Sequence, residues 1–441
     1  MGEAADNIRT PRALLSLPFY YGWFIVGLSF VAYLVASAIR SGPAVLIHPL
    51  EAEFGWGRTA ISSAASLNLL LYGIMAPVGG WLLDRFGPRR VILGSLLTIA
   101  AGISATVLVR ELWQFLFLWG VVLGVATGIT PPLAASVTSR WFIARRGLAL
   151  GILTNANAAG QAIFLPLLMA VILASGWRTA LMVIMVACVV LLPAIWLWLH
   201  DNPADVGLEP YNTGNPRNMA PAQSGPVSRS EIHPMGGSSF AVVFKDSTFW
   251  ILSGCFFVCG VTANGLIGTH MIPHAIERGI PEVTAATAFG IMGIASFIGT
   301  TFAGWLVDRM DARKVLSAAY LLRGLSLFLL PYVTDSFGLF VFAVLYGLDW
   351  FATGPATTAI LANTFGQQRI GRLFGLVFVS HQIGAALAAV AGGWAYSYFG
   401  EYHFAFLSGA VMGLLAAALA LKIRSSGARP AVPLSAELAR A

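Results

Sequence analysis

Charge is scarce in this sequence: 10% of its 441 residues are Asp, Glu, Lys or Arg, where a soluble domain carries about 25%. That scarcity excludes a water-soluble fold for the bulk of the chain. Cysteine is scarcer still. Cys188 stands alone, and Cys255 and Cys259 lie one helical turn apart, so there is no disulfide framework and all three read as small apolar packing residues. No HExxH, nucleotide-binding loop or nucleophile elbow occurs, and no soluble stretch is large enough to host one. An enzyme and a nucleotide-driven pump are thereby excluded, and no cofactor or metal is called for. The net charge of +7 invites a nucleic-acid reading, but no basic patch interleaved with aromatics lies outside the apolar runs, so no nucleic-acid partner is expected. The residues ahead of the first apolar run lack a small-residue cleavage site, which predicts that this run is retained rather than removed as a signal peptide.

What the chain has is apolar length. Hydrophobic residues make up 57% of it, in runs such as 23–39, 91–109, 179–199 and 316–333, each near the roughly 20 residues that cross the hydrocarbon as a helix. Breaks of charge, Pro and Gly divide the chain into spans near 21–47, 59–83, 90–109, 112–139, 147–174, 178–199, 249–273, 284–307, 314–333, 336–362, 372–397 and 402–422. With the N-terminus inside, the outer loops hold only Arg58, Arg110, Arg178 and Arg278 of the chain's Lys and Arg residues. The excess of Lys and Arg on the other side predicts cytoplasmic termini and a multi-pass protein of the cell (inner) membrane. The stretch after span 6 is rich in Pro, Gly, Ser and Asn and reads as a flexible linker. The expected organisation is an N-terminal tail (1–20), a six-helix half (21–199), a cytoplasmic linker (200–248), a second six-helix half (249–422) and a C-terminal tail (423–441).

Two segments repeat across the halves: GWLLDRFGPRR at 80–90 and GWLVDRMDARK at 304–314. The same ungapped offset pairs Pro131 with Pro355, Gly147 with Gly371, Gly151 with Gly375 and Gly160 with Gly384. Spans 2–5 therefore repeat as spans 8–11, and parallel halves of this kind place a solute site between them at the midplane. The loop after span 2 resembles the signature of the major facilitator superfamily, carried by Gly80, Asp84, Arg85, Gly87, Arg89 and Arg90. In the second copy Asp311 stands where the first has Gly87. The resemblance implies an all-α membrane protein with twelve transmembrane helices in two pseudo-symmetric halves. Asp84, Arg85 and Arg89, with Asp308 and Arg309, are expected to gate one side, because a carboxylate at a helix end can engage a neighbouring helix terminus and release it as the halves rock. A topology-setting charge cluster is the alternative.

Ionisable groups at membrane depth mark functional positions, and this chain has few. Arg40 lies in span 1, followed by Gly42 and Pro43, which are expected to loosen the helix and free backbone groups for solute. The repeat pairs Arg40 with Asn264 in span 7, and Asn157 in span 5 with His381 in span 11. Spans 1, 5, 7 and 11 flank the cavity of the fold that is resembled, so Arg40, Asn155, Asn157, Gln161, Asn264, His381 and Gln382 form the candidate substrate-binding set. A snorkelling Arg40 and a purely structural His381 are the alternatives. Asp349 in span 10 is a candidate proton-coupling residue. The competing reading is a structural pair with Arg323 of span 9.

The segments FYYGW at 19–23 and DNPADVGLEPYN at 201–212 are similar to the bacterial branch of the monocarboxylate and oxalate/formate transporters, whose members carry small organic anions, often with a proton. Members of that group usually hold the carboxylate with an arginine in span 8, where this chain has Ser296 and Thr300. The neutral amides, with hydroxyls at Ser296, Thr300 and Thr301 and aromatics at Tyr33, Tyr72, Phe297 and Trp350, suit a heteroaromatic solute such as riboflavin as a second reading. Exporters of this fold commonly carry a GPxxGG-like sequence in span 5, where this chain reads AAGQAIFLP. Uptake is therefore expected, with an efflux permease as the alternative. The expected partners are a small solute, the lipid bilayer and protons, with a monomer as the working unit.

Overall fold

The computed structural model describes residues 19–212, 243–365 and 370–423. The expected N-terminal tail up to residue 18, most of the linker and the C-terminal tail from residue 424 lie outside the described residues. Among those described the chain is helical, and eleven helices are long and apolar enough to cross a membrane. One of the eleven, Arg58–Val107, has 50 residues, about 75 Å at the rise of an α-helix and more than twice the hydrocarbon thickness. It departs from helical geometry at Gly87 (φ 81°, ψ 157°), so spans 2 and 3 are two crossings joined at a kink and the total is twelve. Separate helices are expected there from the charge-rich break, but the turn needs only one residue, because glycine alone adopts that backbone conformation without strain.

Span 1 runs Tyr21–Ser41 and continues as Pro43–Phe54. The ladder is interrupted at Gly42 and Pro43, where one helix ends at Ser41, the next starts at Pro43, and Gly42 N–H turns to Ile39 O at 3.3 Å. Gly42 keeps right-handed helical angles (φ −53°, ψ −40°), and its carbonyl accepts from Val45 and Leu46 N–H at 3.1 Å each. Proline is at home in a first helical turn because its missing N–H has no partner there anyway. Gly42 is small for another reason: a Cβ there would lie 2.6 Å from the Trp119 ring of span 4. Span 4 is Leu112–Trp141, span 5 Arg146–Ser175 and span 6 Trp177–Trp198. Spans 7–12 are Ser247–Glu277, Glu282–Val307, Ala312–Tyr332, Ser336–Phe365, Leu373–Phe399 and His403–Leu421. Span 4 and span 7 each contain a π-helical stretch, Leu116–Val122 and Val261–Ile267.

Small residues bring the two sets of six spans together. A Cβ at Gly73 of span 2 would lie 2.5 Å from Gln382 Cβ of span 11, and Gly290 and Gly293 of span 8 sit against the carbonyls of Ala162 and Ala158 in span 5. Lipid offers no hydrophobic driving force between helices, so close backbone packing of this kind supplies the attraction. The opening of the expected linker is not free chain. Tyr211 pairs with the strand-like Phe142, its N–H donating to Trp141 O at 2.9 Å, and its ring meets Tyr20 at a tilt of 46° and 5.2 Å. Tyr20 Oη donates to Glu209 O at 2.8 Å, and Tyr21 Oη to Trp198 O at 2.6 Å. The segments at 19–23 and 201–212 are thus one structural unit, a clasp holding the end of span 6 to the start of span 1.

Candidate functional site

The two copies of the repeated loop solve the same turn differently. In the first, a Cβ at Gly87 would overlap the Asp201 carboxylate, and Asp201 Oδ1 accepts from Arg89 N–H at 2.7 Å. Burial pushes the Asp201 carboxyl above its usual range, against the opposing bond from Arg89. In the second, Asp311 caps its own helix, accepting from Arg313 N–H at 3.0 Å and from the Arg313 guanidinium. That pairing holds the Asp311 carboxyl below its ordinary value. Asp84, Arg85, Asp308 and Arg309 are exposed. No described residue bonds the Asp84 or Asp308 carboxylate, while Arg85 leans on Trp81 and Phe86 and Arg309 lies 4.2 Å from the Trp305 ring. The Arg89 guanidinium is spent on Trp196 O. Among the described residues, none of these bonds a partner in the other half.

The opposite end is tied across the two halves. Arg58, at the start of span 2, is 4% exposed and makes contacts in both halves. Its Nε donates to Glu51 Oε2 at 3.1 Å, and its Nη1 pairs with Glu277 of span 7 and donates to Tyr402 Oη at 3.1 Å. Its guanidinium carbon lies 3.6 Å from the Tyr396 ring centre. Beside it Thr59 Oγ1 meets Ser397 Oγ at 3.0 Å, and the Ser62 hydroxyl packs on Gly393. In the sequence Arg58 reads only as a loop charge, and none of its chain neighbours signals this layer.

Between the two ends lies a buried polar layer. Arg40 Nη2, Asn157 Oδ1, Gln161 Oε1, His381 Nδ1 and both polar atoms of the Gln382 amide are buried without a hydrogen-bond partner among the described residues. Buried polar groups are almost always paired, so five of the seven candidate binding residues carrying orphaned atoms is a mark of a site. The residues meet through aromatic contacts. Arg40 sits 5.1 Å from the Tyr72 ring, Tyr72 lies 6.3 Å from Phe378, and Phe378 stacks on His381 at 5.6 Å and 10°. Asn157 and Gln161 are one turn apart on span 5, whose Gly160 sits against Leu34 O of span 1, six residues before Arg40. On the side of the repeated loops a cleft of about 620 Å³ opens between spans 2, 4 and 11, lined by Gly73, Pro77, Pro131, Phe374 and Phe378 among others.

Two candidates stand apart. Asn155 donates to its own Gly151 O at 2.7 Å and lines a separate apolar groove of about 360 Å³ between spans 1, 5 and 8, together with Phe297. Asn264 is buried in the π-helical stretch of span 7, where a helix one residue wider per turn often marks a working position. Asp349 is fully buried beside Arg323, whose Nε pairs with its carboxylate. The same guanidinium donates to Asp349 O at 3.1 Å and Trp350 O at 3.0 Å. Those carbonyls lie where span 10 breaks between Ser336–Trp350 and Thr353–Phe365, and Asp349 O also accepts from Ala352 N–H at 2.9 Å. Arg323 therefore acts as a helix cap at membrane depth, and Nη1 reaches Thr262 of span 7 at 3.4 Å.

The family model described as Major Facilitator Superfamily matches residues 28–300 and 271–439. An uncharacterized MFS-type transporter, YcxA, of Bacillus subtilis is 30% identical over 84% of this chain and 87% of its own. Monocarboxylate transporter 12-B of Danio rerio is 24% identical, covering 88% of this chain and 84% of its own. In structure, a bacterial homolog of the human lysosomal transporter Spinster, solved inward-facing and occupied, aligns with a TM-score of 0.69 at 15% identity over 91% of this chain and 97% of its own.

Proposed function

This chain belongs to the Major Facilitator Superfamily, and from that premise we propose that it takes up a small organic monoanion by alternating access, with Arg40 receiving the charge. The orphaned Nη2 of Arg40 carries this reading. A guanidinium nitrogen buried without a carboxylate partner is costly unless something anionic visits it. Asn157, Gln161, His381 and Gln382 supply neutral hydrogen bonds around it. Positive-inside topology puts the Arg58 layer outside and the repeated loops inside, so the conformation described is closed to the exterior and open toward the cytoplasm. Asp84, Arg85, Arg89, Asp308 and Arg309 then form the inner gate, which engages when the halves rock the other way. Asp349 is the proposed proton carrier, with its grip on Arg323 as the element that a proton would weaken; the cap geometry favours a structural pair as the second role. The unit is a monomer in the inner membrane with both termini cytoplasmic.

The orphaned amides also support a second solute class, a mostly neutral heteroaromatic such as riboflavin. Uptake of labelled lactate and labelled riboflavin into proteoliposomes, with and without an inward proton gradient, decides between them. Lactate uptake driven by the gradient supports the monoanion reading, and riboflavin uptake independent of Arg40 replaces it. A hydrogen bond to a charged group contributes about 2 kcal/mol. Arg40→Ala is therefore expected to lower kcat/KM for the anion by roughly thirtyfold, and normal transport by that variant removes Arg40 from the site.

A further inference from the structure

We propose that Phe378, with the His381 ring stacked on it, is the specificity-determining face of the site, and that the monoanion it selects has a planar, conjugated body. The inference rests on Arg40 as the residue that receives the charge. Arg40 offers one buried, unpaired nitrogen, while its guanidinium face is covered by the Tyr72 ring at 5.1 Å. With that face occupied, an anion meets the guanidinium at its edge, where the buried Nη2 awaits a partner.

The body of the solute then meets rings. Phe374, Phe378 and His381 stand at i, i+4 and i+7 on span 11, one face of the helix. Phe374 and Phe378 lie 19° from parallel at 6.5 Å, and Phe378 and His381 10° from parallel at 5.6 Å. Phe374 and Phe378 line the 620 Å³ cleft, whereas His381 is 6% exposed and belongs to the polar layer. The rank of rings thus runs from the cleft to the orphaned polar atoms, and Tyr72 of the other half closes on Phe378 at 6.3 Å. A flat conjugated solute sliding along this face keeps ring-to-ring contact, with offset or edge geometry available at each step. A saturated ring of the same charge and similar volume satisfies Arg40 but loses that contact. Gln382, with both amide atoms unpaired, lies beside the same face and can read a ring heteroatom.

Calorimetric titration of the purified full chain in detergent at pH 8 with benzoate, cyclohexanecarboxylate, benzamide and cyclohexanecarboxamide tests this. Benzoate is expected to bind about tenfold more tightly than cyclohexanecarboxylate, and benzamide far more weakly than benzoate. Phe378→Leu brings the first ratio near one, and Phe378→Tyr keeps it. Equal binding of the two carboxylates by the wild type, or an undiminished ratio in Phe378→Leu, overturns the planar-face proposal. Benzamide binding as tightly as benzoate overturns the Arg40 reading instead, and the ratio between the two amides then still reports on Phe378. Binding of none of the four overturns both.

Discussion

The two ends of this molecule use the same residue types in opposite ways. At the Arg58 end, one guanidinium is buried between two glutamates and two tyrosines drawn from spans on both sides of the interface. At the end carrying the repeated loops, Asp84, Arg85, Asp308 and Arg309 are exposed, and their contacts stay within their own half. Exposed ion pairs contribute about 0–1 kcal/mol, whereas removing one partner from a buried pair costs about 3–5 kcal/mol. The difference therefore predicts that the closing force of this conformation is concentrated at Arg58 and that the loop end is spring-free.

Arg58→Ala breaks the comparison at its strongest point. Glu277 and Glu51 lose their shared cation, and the halves lose the tie between span 2 and spans 7, 11 and 12. Labelling of a Ser62→Cys reporter by an impermeant maleimide is expected to rise at least tenfold, since Ser62 is fully buried in the closed layer and a shift of only about 1.4 kcal/mol changes the equilibrium tenfold. The native cysteines are all buried and add little background. Glu277→Gln keeps a hydrogen-bonding amide in place and should open the layer less. Unchanged labelling in both variants would mean that helix packing alone closes this end.

The second prediction sharpens the contrast between the two copies of the loop. Gly87→Ala must place a side chain in a glycine-only region of backbone space and against Asp201, at a cost of about 1–3 kcal/mol for the backbone alone. Asp311→Gly at the matching position removes only a helix cap, roughly a few tenths of a kcal/mol. Thermal melts in detergent should therefore rank Gly87→Ala as the more damaging. Adding Asp201→Ala to Gly87→Ala should recover the contact term but not the backbone term. Full recovery would show that φ at residue 87 carries no strain.

Much of this is legible in the sequence because the duplication fixes which residues share a level. The register pairs Asn157 with His381 and Arg40 with Asn264; three of these four carry orphaned atoms of the buried polar layer, and helical spacing explains why Asn155 stands apart from it. Asn157 and Gln161, four apart, share a face of span 5. Asn155, two residues from Asn157, is turned about 200° away at 100° per residue, and it opens onto the lateral groove. Spacing along one helix is enough for that distinction. It is not enough for the Arg58 layer, because its partners Glu277, Tyr396 and Tyr402 are more than two hundred residues away and follow no periodicity. Nor does local sequence show that a Cβ at Gly42 would meet Trp119 on another span.

The smallest expected effect is a pH dependence of opposite sign at the two loops. Asp201 has its carboxyl raised by burial, so its protonated form is favoured by the fold. Its contribution to stability is present below the unfolded value of about 3.9 and is lost as pH rises through the folded value. Asp311 has its carboxyl depressed by Arg313, so its contribution is present above about 3.9 and is lost as pH falls through the folded value. Lowering pH from neutral should therefore first favour the Asp201 loop and only afterwards weaken the Asp311 loop. Replacing each by Asn isolates the terms: relative to wild type, Asp201→Asn should look less destabilising at neutral pH than in mild acid, and Asp311→Asn the reverse. Because Asp311 is exposed, its term is screened and stays under about 1 kcal/mol, so the difference in melting temperature between the two variants across pH is the quantity to measure. Parallel curves would mean that the two loops, for all their different wiring, present their carboxylates to the same environment.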